Sequence, residues 1–229
     1  MSTQPPVSSD SIELHDLMGD WQRALHAFGV DEIVVLGPDL FAGADARRVL
    51  AAYPAEAFAA AEGLAASVDF GGLWERARAS LVAWQHLGRP QAPDREADGE
   101  AGWREVWHAR GAQTVIRVGF TLPAARAFEC FLFSVRELDG RAEVAALAWS
   151  ALNIWPALRA ALVAVHCPLT PRELQCLTLA FDGLTARASA ERMACTERTV
   201  NFHLANAMTK LRADNKMAAI QRACWLGAI

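Results

Sequence analysis

The sequence predicts an α+β chain in two parts, an N-terminal α/β/α sandwich followed by an all-α, four-helix domain built on a helix-turn-helix. Three observations predict it. The last sixty residues carry only helix-start signals and 3.6-residue periodicity, with no strand pattern. The preceding part mixes amphipathic helices with short β-rich runs, the order expected when helices cover both faces of one sheet. A change of charge also separates the two parts. From Cys167 onward eight Lys or Arg face five acids, a net of +3, whereas the rest has fourteen against twenty-one, a net of −7. Together these place a first domain at 1–162, a linker at 163–168 and the helical domain at 169–229.

In the first part, Ser9 or Asp10 caps a helix whose stripe is Ile12, Leu14, Leu17, Trp21, Leu25 and Phe28, and Gly29 ends it. Glu32 to Leu36 is β-rich, and Gly37 with Pro38 closes it as a strand. Arg47 to Ala66 is Ala-rich and reads as helix, broken once at Tyr53 and Pro54. A further helix covers Leu73 to Leu87. Gly88 to Gly102 is polar and rich in Pro and Gly, a surface loop. Trp103 to Ala112 returns to helix. Thr114 to Leu122 and Glu129 to Val135 are strands joined by a turn around Pro123 to Ala127, and Asp139 with Gly140 makes another turn. A long helix then runs from Arg141 to Val165. Its apolar window, Val144 to Leu158, is too short to span a bilayer and reads as a buried helix kinked at Pro156.

In the second part, Thr170, Pro171 and Glu173 have capping-box spacing, so a helix starts there. Leu174, Leu177 and Phe181 share one face, and Gly183 provides the left-handed C-cap. Thr185 caps a second helix that stops near Met193. Thr196 caps a third after a turn of about three residues. On that third helix Val200, Leu204, Ala207, Met208 and Leu211 form an apolar stripe. Arg198, Asn201, Phe202, Ala205 and Thr209 fall on the other side. A helix-turn-helix of this kind sends its second helix into the DNA major groove.

LTPRE at Leu169 to Glu173, Gly183 with Thr185, TV at Thr199, FH at Phe202 and KL at Lys210 together resemble the LuxR-type DNA-binding domain. Asn215, Lys216 and Ala219 with Leu226, Gly227 and Ile229 extend the likeness, and TVNFHLANA is similar to the quorum-sensing branch. Ala188 and Ser189 depart from it, standing where that family has an acid and a large aliphatic residue. The resemblance implies a cytoplasmic, homodimeric transcriptional regulator that binds a pseudo-palindromic promoter site in double-stranded DNA, the helix from Asn215 to Leu226 pairing two domains. Thr185, Arg187, Arg198 and Thr199 would hold phosphates, with Lys210 adding charge. Asn201 and Ala205 would meet base edges, Asn being able to pair bidentately with adenine and Ala to sit against a thymine methyl, and Phe202 joins them among the DNA-binding residues.

The upstream part resembles the autoinducer-binding domain of the same branch. GFTLP at Gly119, Tyr53 with Pro54, then Asp69 and Trp84 fall in that family's order, with Ser134 on the following strand as a second donor. The resemblance implies that Tyr53, Asp69, Trp84, Gly119 and Ser134 line a pocket for an acyl-homoserine-lactone-like signal. An apolar pocket holding such a ligand needs a few placed hydrogen-bonding groups. Ala57 and Ala61 stand where that family has a Trp and a Tyr, and Phe70, Gly71 and Gly72 alter the register after Asp69. The signal therefore differs from the usual one or is not needed, the alternative being a ligand-independent regulator or anti-activator whose first domain is a dimerisation module. Asp69 can equally cap the next helix and Trp84 fill core, while Trp74, Trp103 and Trp107 are further lining candidates.

Other functions find no support in the pattern. No nucleophile, base and orienting acid occur in a recognisable arrangement, so no enzyme and no catalytic residue is expected. The six histidines lack metal-ligand spacing and no phosphate loop surrounds the glycines, so neither metal nor cofactor is expected. Asp31 and Glu32 precede a strand where a phosphorylated receiver would place its acids after one. The five cysteines are odd in number with no CxxC and read as buried, reduced thiols. MSTQPPVSSDS has neither a basic n-region nor an apolar h-region of a secretory peptide.

Overall fold

The computed structural model describes residues 9–43, 46–67, 81–88 and 101–229. Two compact units divide the chain, Met1–Val165 and His166–Ile229. The expected linker at 163–168 is helical as far as His166, because the apolar periodicity of the preceding helix continues through Leu162 and Val165.

In the first unit α1 (Ser9–Leu25) leads through a short 3-10 turn into β1 (Val30–Pro38) and β2 (Arg47–Tyr53). Then come α2 (Phe58–Ala66), β3 (Val82–His86), α3 (Ala101–Ala109), β4 (Thr114–Thr121), β5 (Ala127–Ser134) and α4 (Arg141–His166). The sheet has the order β2-β1-β5-β4-β3, with every neighbouring pair antiparallel. Gly29, at φ 71, makes the left-handed step that lets β1 leave α1, a conformation open to glycine without Cβ strain.

Alternation along the central strands produces two apolar faces. Leu132 and Cys130 of β5, with Ile33 and Ile116, meet Leu14, Met18 and Trp21 of α1 and Leu147, Ala151 and Leu158 of α4. Phe131 and Phe133, with Val34 and Val115, meet Leu64 of α2 and Trp103 and Trp107 of α3. Each large side chain buried this way contributes about 1.5–3 kcal/mol. The Trp21 indole also donates to Ser150 Oγ at 3.2 Å, tying α1 to α4. Helices thus lie on both faces, as the expected sandwich requires.

Two stretches correct the sequence reading. Residues 47–53 form a strand, since Tyr53, Ala52 and Ala51 pair with Ile33, Val34 and Val35 of β1; helix runs only from Phe58. Residues 82–86 form a second edge strand, in which Trp84 pairs with Ile116. Both are edges, where local propensity is weak and the waiting partner strand decides. The rest of the helix expected at 73–87 and most of the loop expected at 88–102 lie outside the described residues. α4 is long and apolar enough, by length and composition, to cross a bilayer. Val144, Leu147, Ala151, Leu158 and Leu162 pack one side of it into the core. Its other side is not buried as expected, since it exposes Trp149 and Leu152.

The second unit contains α5 (Pro171–Phe181), α6 (Ala186–Arg192), α7 (Glu197–Lys210) and α8 (Lys216–Trp225). Cys176, Leu177, Val200, Leu204, Ala207, Leu211, Ala219 and Ala223 form its interior.

Candidate nucleic-acid interface

Capping fixes where each helix of the second unit begins. Thr170 Oγ1 accepts from the Glu173 amide at 3.4 Å and Glu173 Oε2 accepts from the Thr170 amide at 2.8 Å, so the capping box forms in full. Glu173 is 3% exposed and also receives Lys210 Nζ at 2.8 Å. Burial pushes its carboxyl up, but Lys210 and Thr170 outweigh that and hold it below the usual carboxylate range. This bond pins the end of α7 to the start of α5. Thr185 caps α6 through the Ala188 amide at 3.2 Å, and Thr196 caps α7 through the Thr199 amide at 3.1 Å. The cap at Thr185 therefore stands without the acid that Ala188 replaces. Gly183, at φ 84, closes α5 in the left-handed region.

Between α6 and α7 the chain turns through Met193, Ala194 and Cys195, with Ala194 at φ 51. The turn leaves α7 with a buried side of Val200, Leu204, Ala207 and Leu211. Arg198, Asn201, Phe202, Ala205 and Thr209 are exposed on the other side. Phe202 is 62% exposed, an apolar ring held out in solvent. Arg187 is exposed beside Glu191, at 3.4 Å.

Two of the residues expected to meet phosphates have internal partners. Thr199 Oγ1 shares a hydrogen bond with Thr196 Oγ1 at 2.8 Å. Lys210 is the partner of buried Glu173, so its first role is to hold the domain together. Sequence spacing could not show this pairing, because it joins residues 37 apart.

Residues 167–223 match the profile of the bacterial regulatory proteins of the luxR family. That match spans most of the C-terminal unit and about a quarter of the chain. Over 61 residues the chain is 46% identical to the transcriptional activator protein AnoR of Acinetobacter nosocomialis, and the match covers 27% of this chain and 26% of AnoR. It is 48% identical over 61 residues to the quorum sensing-dependent transcriptional regulator RpaR of Rhodopseudomonas palustris, covering 27% and 25% of the two chains. The chain matches about a quarter of the length of these relatives. Among solved structures, SdiA of Escherichia coli aligns over 94% of this chain and 92% of its own at 17% identity, with a TM-score of 0.47.

In the first unit the expected pocket residues do not converge. Asp69 lies outside the described residues. Tyr53 and Trp84 belong to one row that crosses the whole sheet, Tyr53–Ile33–Leu132–Ile116–Trp84. Four strand spacings of about 4.8 Å put them roughly 19 Å apart, at opposite edges. No single head group touches both. The Tyr53 ring instead packs on α1, where a Cβ on Gly19 would come within 3.1 Å of it, and stands 5.0 Å from the His15 ring. Trp84 walls an open apolar groove with Val144, Trp149 and Leu152 of α4. Ser134 Oγ donates to the Phe28 carbonyl at 2.8 Å and accepts from the Arg136 amide at 3.0 Å, so it closes the α1–β1 turn and does not offer a ligand donor. Gly119 makes room for a neighbour, since a Cβ there would come within 3.1 Å of the Arg117 guanidinium.

Sequence reading missed what fills the opposite face. Ala57 and Ala61 are fully buried in the same cluster as Trp103 and Trp107. Trp107 stacks on Phe133 with centroids 3.7 Å apart. Beside them Glu129 receives Arg117 Nε at 2.6 Å and Arg47 Nη1 at 3.1 Å, all three nearly inaccessible. Burial pushes the Glu129 carboxyl up, and Arg47 and Arg117 more than reverse it, so it stays ionised below the usual range. A strand reading that treats Arg117 and Glu129 as solvent-facing conceals this triad; only the hairpin register brings them to one face.

The cysteines are free thiols. Cys130 and Cys176 are buried, whereas Cys167, Cys195 and Cys224 are only half-buried, which corrects the expectation that all five are enclosed.

Proposed function

We propose that the chain is a cytoplasmic, DNA-binding transcriptional regulator that works as a homodimer, with α7 as its recognition helix. The outward side of α7 carries this reading. Asn201 and Ala205 lie one turn apart and exposed, beside Arg198 at the helix start, while the inward side is consumed by the core. Asn201 pairs with a base edge, Ala205 and Phe202 meet apolar base surface, and Arg187 and Arg198 hold phosphates. Two copies then read half-sites about ten base pairs apart. Selection of bound duplexes from a random pool tests this. The expected result is a pseudo-palindrome with that spacing, bound with a steep salt dependence. Recovery of unrelated sequences with no enrichment overturns it.

Control by an acyl-homoserine-lactone-like signal is one form of this function. The alternative, a first domain that dimerises without a ligand, is favoured by the separation of Tyr53 from Trp84 and by the committed hydroxyl of Ser134. Thermal denaturation against a panel of acyl and aryl lactones separates them. A ligand-blind domain keeps its melting temperature throughout. A bound signal at a hundredfold excess over Kd adds about 2.7 kcal/mol.

A further inference from the structure

We propose that α7 reads the 5-methyl groups of thymines through an apolar row of Phe202, Ala205 and Thr209, so that each half-site carries thymines at the steps facing this row. The inference rests on α7 being the recognition helix and names the base chemistry that the helix takes. Arg198, Phe202, Ala205 and Thr209 follow at spacings of four, three and four residues, which sets them in line along one exposed side of α7. From Phe202 to Thr209 the row is about 10 Å long at 1.5 Å per residue, the length of about three base-pair steps.

Past Arg198 the row offers a base no hydrogen-bond donor. The Phe202 ring is 62% exposed, and the His203 ring meets it edge-on with centroids 5.8 Å apart. Ala205 presents only its methyl. Thr209 Oγ1 donates to the Ala205 carbonyl at 3.0 Å, which spends its one proton inside the helix and leaves the residue unable to donate to a base edge. No Lys or Arg occurs from Thr199 to Thr209, and Lys210 is held by Glu173 at 2.8 Å, so the middle of α7 lacks the bidentate cation that guanine takes. Among the described residues of α7, Asn201 is the one fully exposed side chain between Arg198 and Lys210 that can pair bidentately, and its match is adenine. In the major groove the apolar group on offer is the thymine methyl, and it is what an apolar row can bury. The net +3 of residues 167–229 suits the flanking phosphates, which hold the helix in the groove while the row makes these contacts.

The test uses the full-length protein and the duplex enriched from a random pool, resynthesised with each thymine in turn replaced by deoxyuridine. That exchange removes the methyl and keeps every hydrogen-bonding group of the base. At two or more thymines in each half-site the uracil duplex is expected to bind about fourfold more weakly, the worth of one buried methyl-sized group. Phe202→Ala is expected to bind the thymine duplex roughly tenfold more weakly and to lose the distinction between thymine and uracil at one of those positions, with an unchanged melting temperature because the ring is exposed. Uracil duplexes bound as tightly as thymine duplexes, half-sites enriched in G·C pairs alone, or a Phe202→Ala variant that still distinguishes thymine from uracil everywhere would each overturn the proposal while α7 remains the recognition helix. A pool that yields no enriched sequence at all would overturn that reading of α7 and the proposal with it.

Discussion

At Ala57 and Ala61 the chain replaces two aromatic residues of the family it resembles, and the consequence is local. Both alanines are fully buried beside Trp103, Trp107 and Phe133, which occupy the volume that larger side chains at 57 and 61 would need. Ala57→Trp is therefore an overpacking change. It should destabilise the first unit by about 1–3 kcal/mol or more in urea denaturation without conferring lactone binding. Lys210 presents the converse case, a charge whose apparent role changes once its partner is seen. Lys210→Met leaves the carboxylate of Glu173 with the Thr170 cap alone, at a cost of about 1–3 kcal/mol. Its effect on DNA affinity should disappear when binding is compared at temperatures equally far below each melting point.

At the scale of elements, each unit holds a carboxylate whose pKa folding lowers, Glu129 between β5, β4 and β2, and Glu173 between α5 and α7. A depressed folded pKa contributes stability above the unfolded value, near 4.3, and that stability is lost as pH falls through the folded value. Stability should thus drop below about pH 4. Glu129→Gln should lose about 3–5 kcal/mol at pH 7, because two buried guanidinium groups lose their counter-charge, and should flatten the acid limb of the stability curve. An acid limb equally steep in Glu129→Gln would remove Glu129 as its cause. The same elements mark what could be read beforehand. Caps at Thr170, Thr185 and Thr196 and the turn at Gly29 are local chemistry, written within four residues of sequence, and they stand where expected. β2 and β3 were not legible, since an Ala-rich or ambiguous stretch becomes a strand only when β1 or β4 is there to pair with it. The Arg47–Glu129–Arg117 triad was hidden for the same reason: it is assembled across strands.

At the scale of the whole molecule, charge and exposed surface divide the labour between units. The helical unit, most of which matches the luxR-family profile, carries the net positive charge and holds Arg198, Asn201 and Phe202 of α7 outward. In the first unit Tyr53 and Ser134 are committed to internal contacts, which favours the ligand-independent form of the proposed function. Arg198→Ala should weaken binding to all duplexes alike and reduce the salt slope by about one. Asn201→Ala supplies the most direct measurement, its affinity for the selected duplex and for that duplex substituted one base pair at a time. The expected result is a loss of about 1–3 kcal/mol confined to one position in each half-site, where the variant no longer distinguishes the bases. A variant that discriminates every base pair as the parent does would contradict the account.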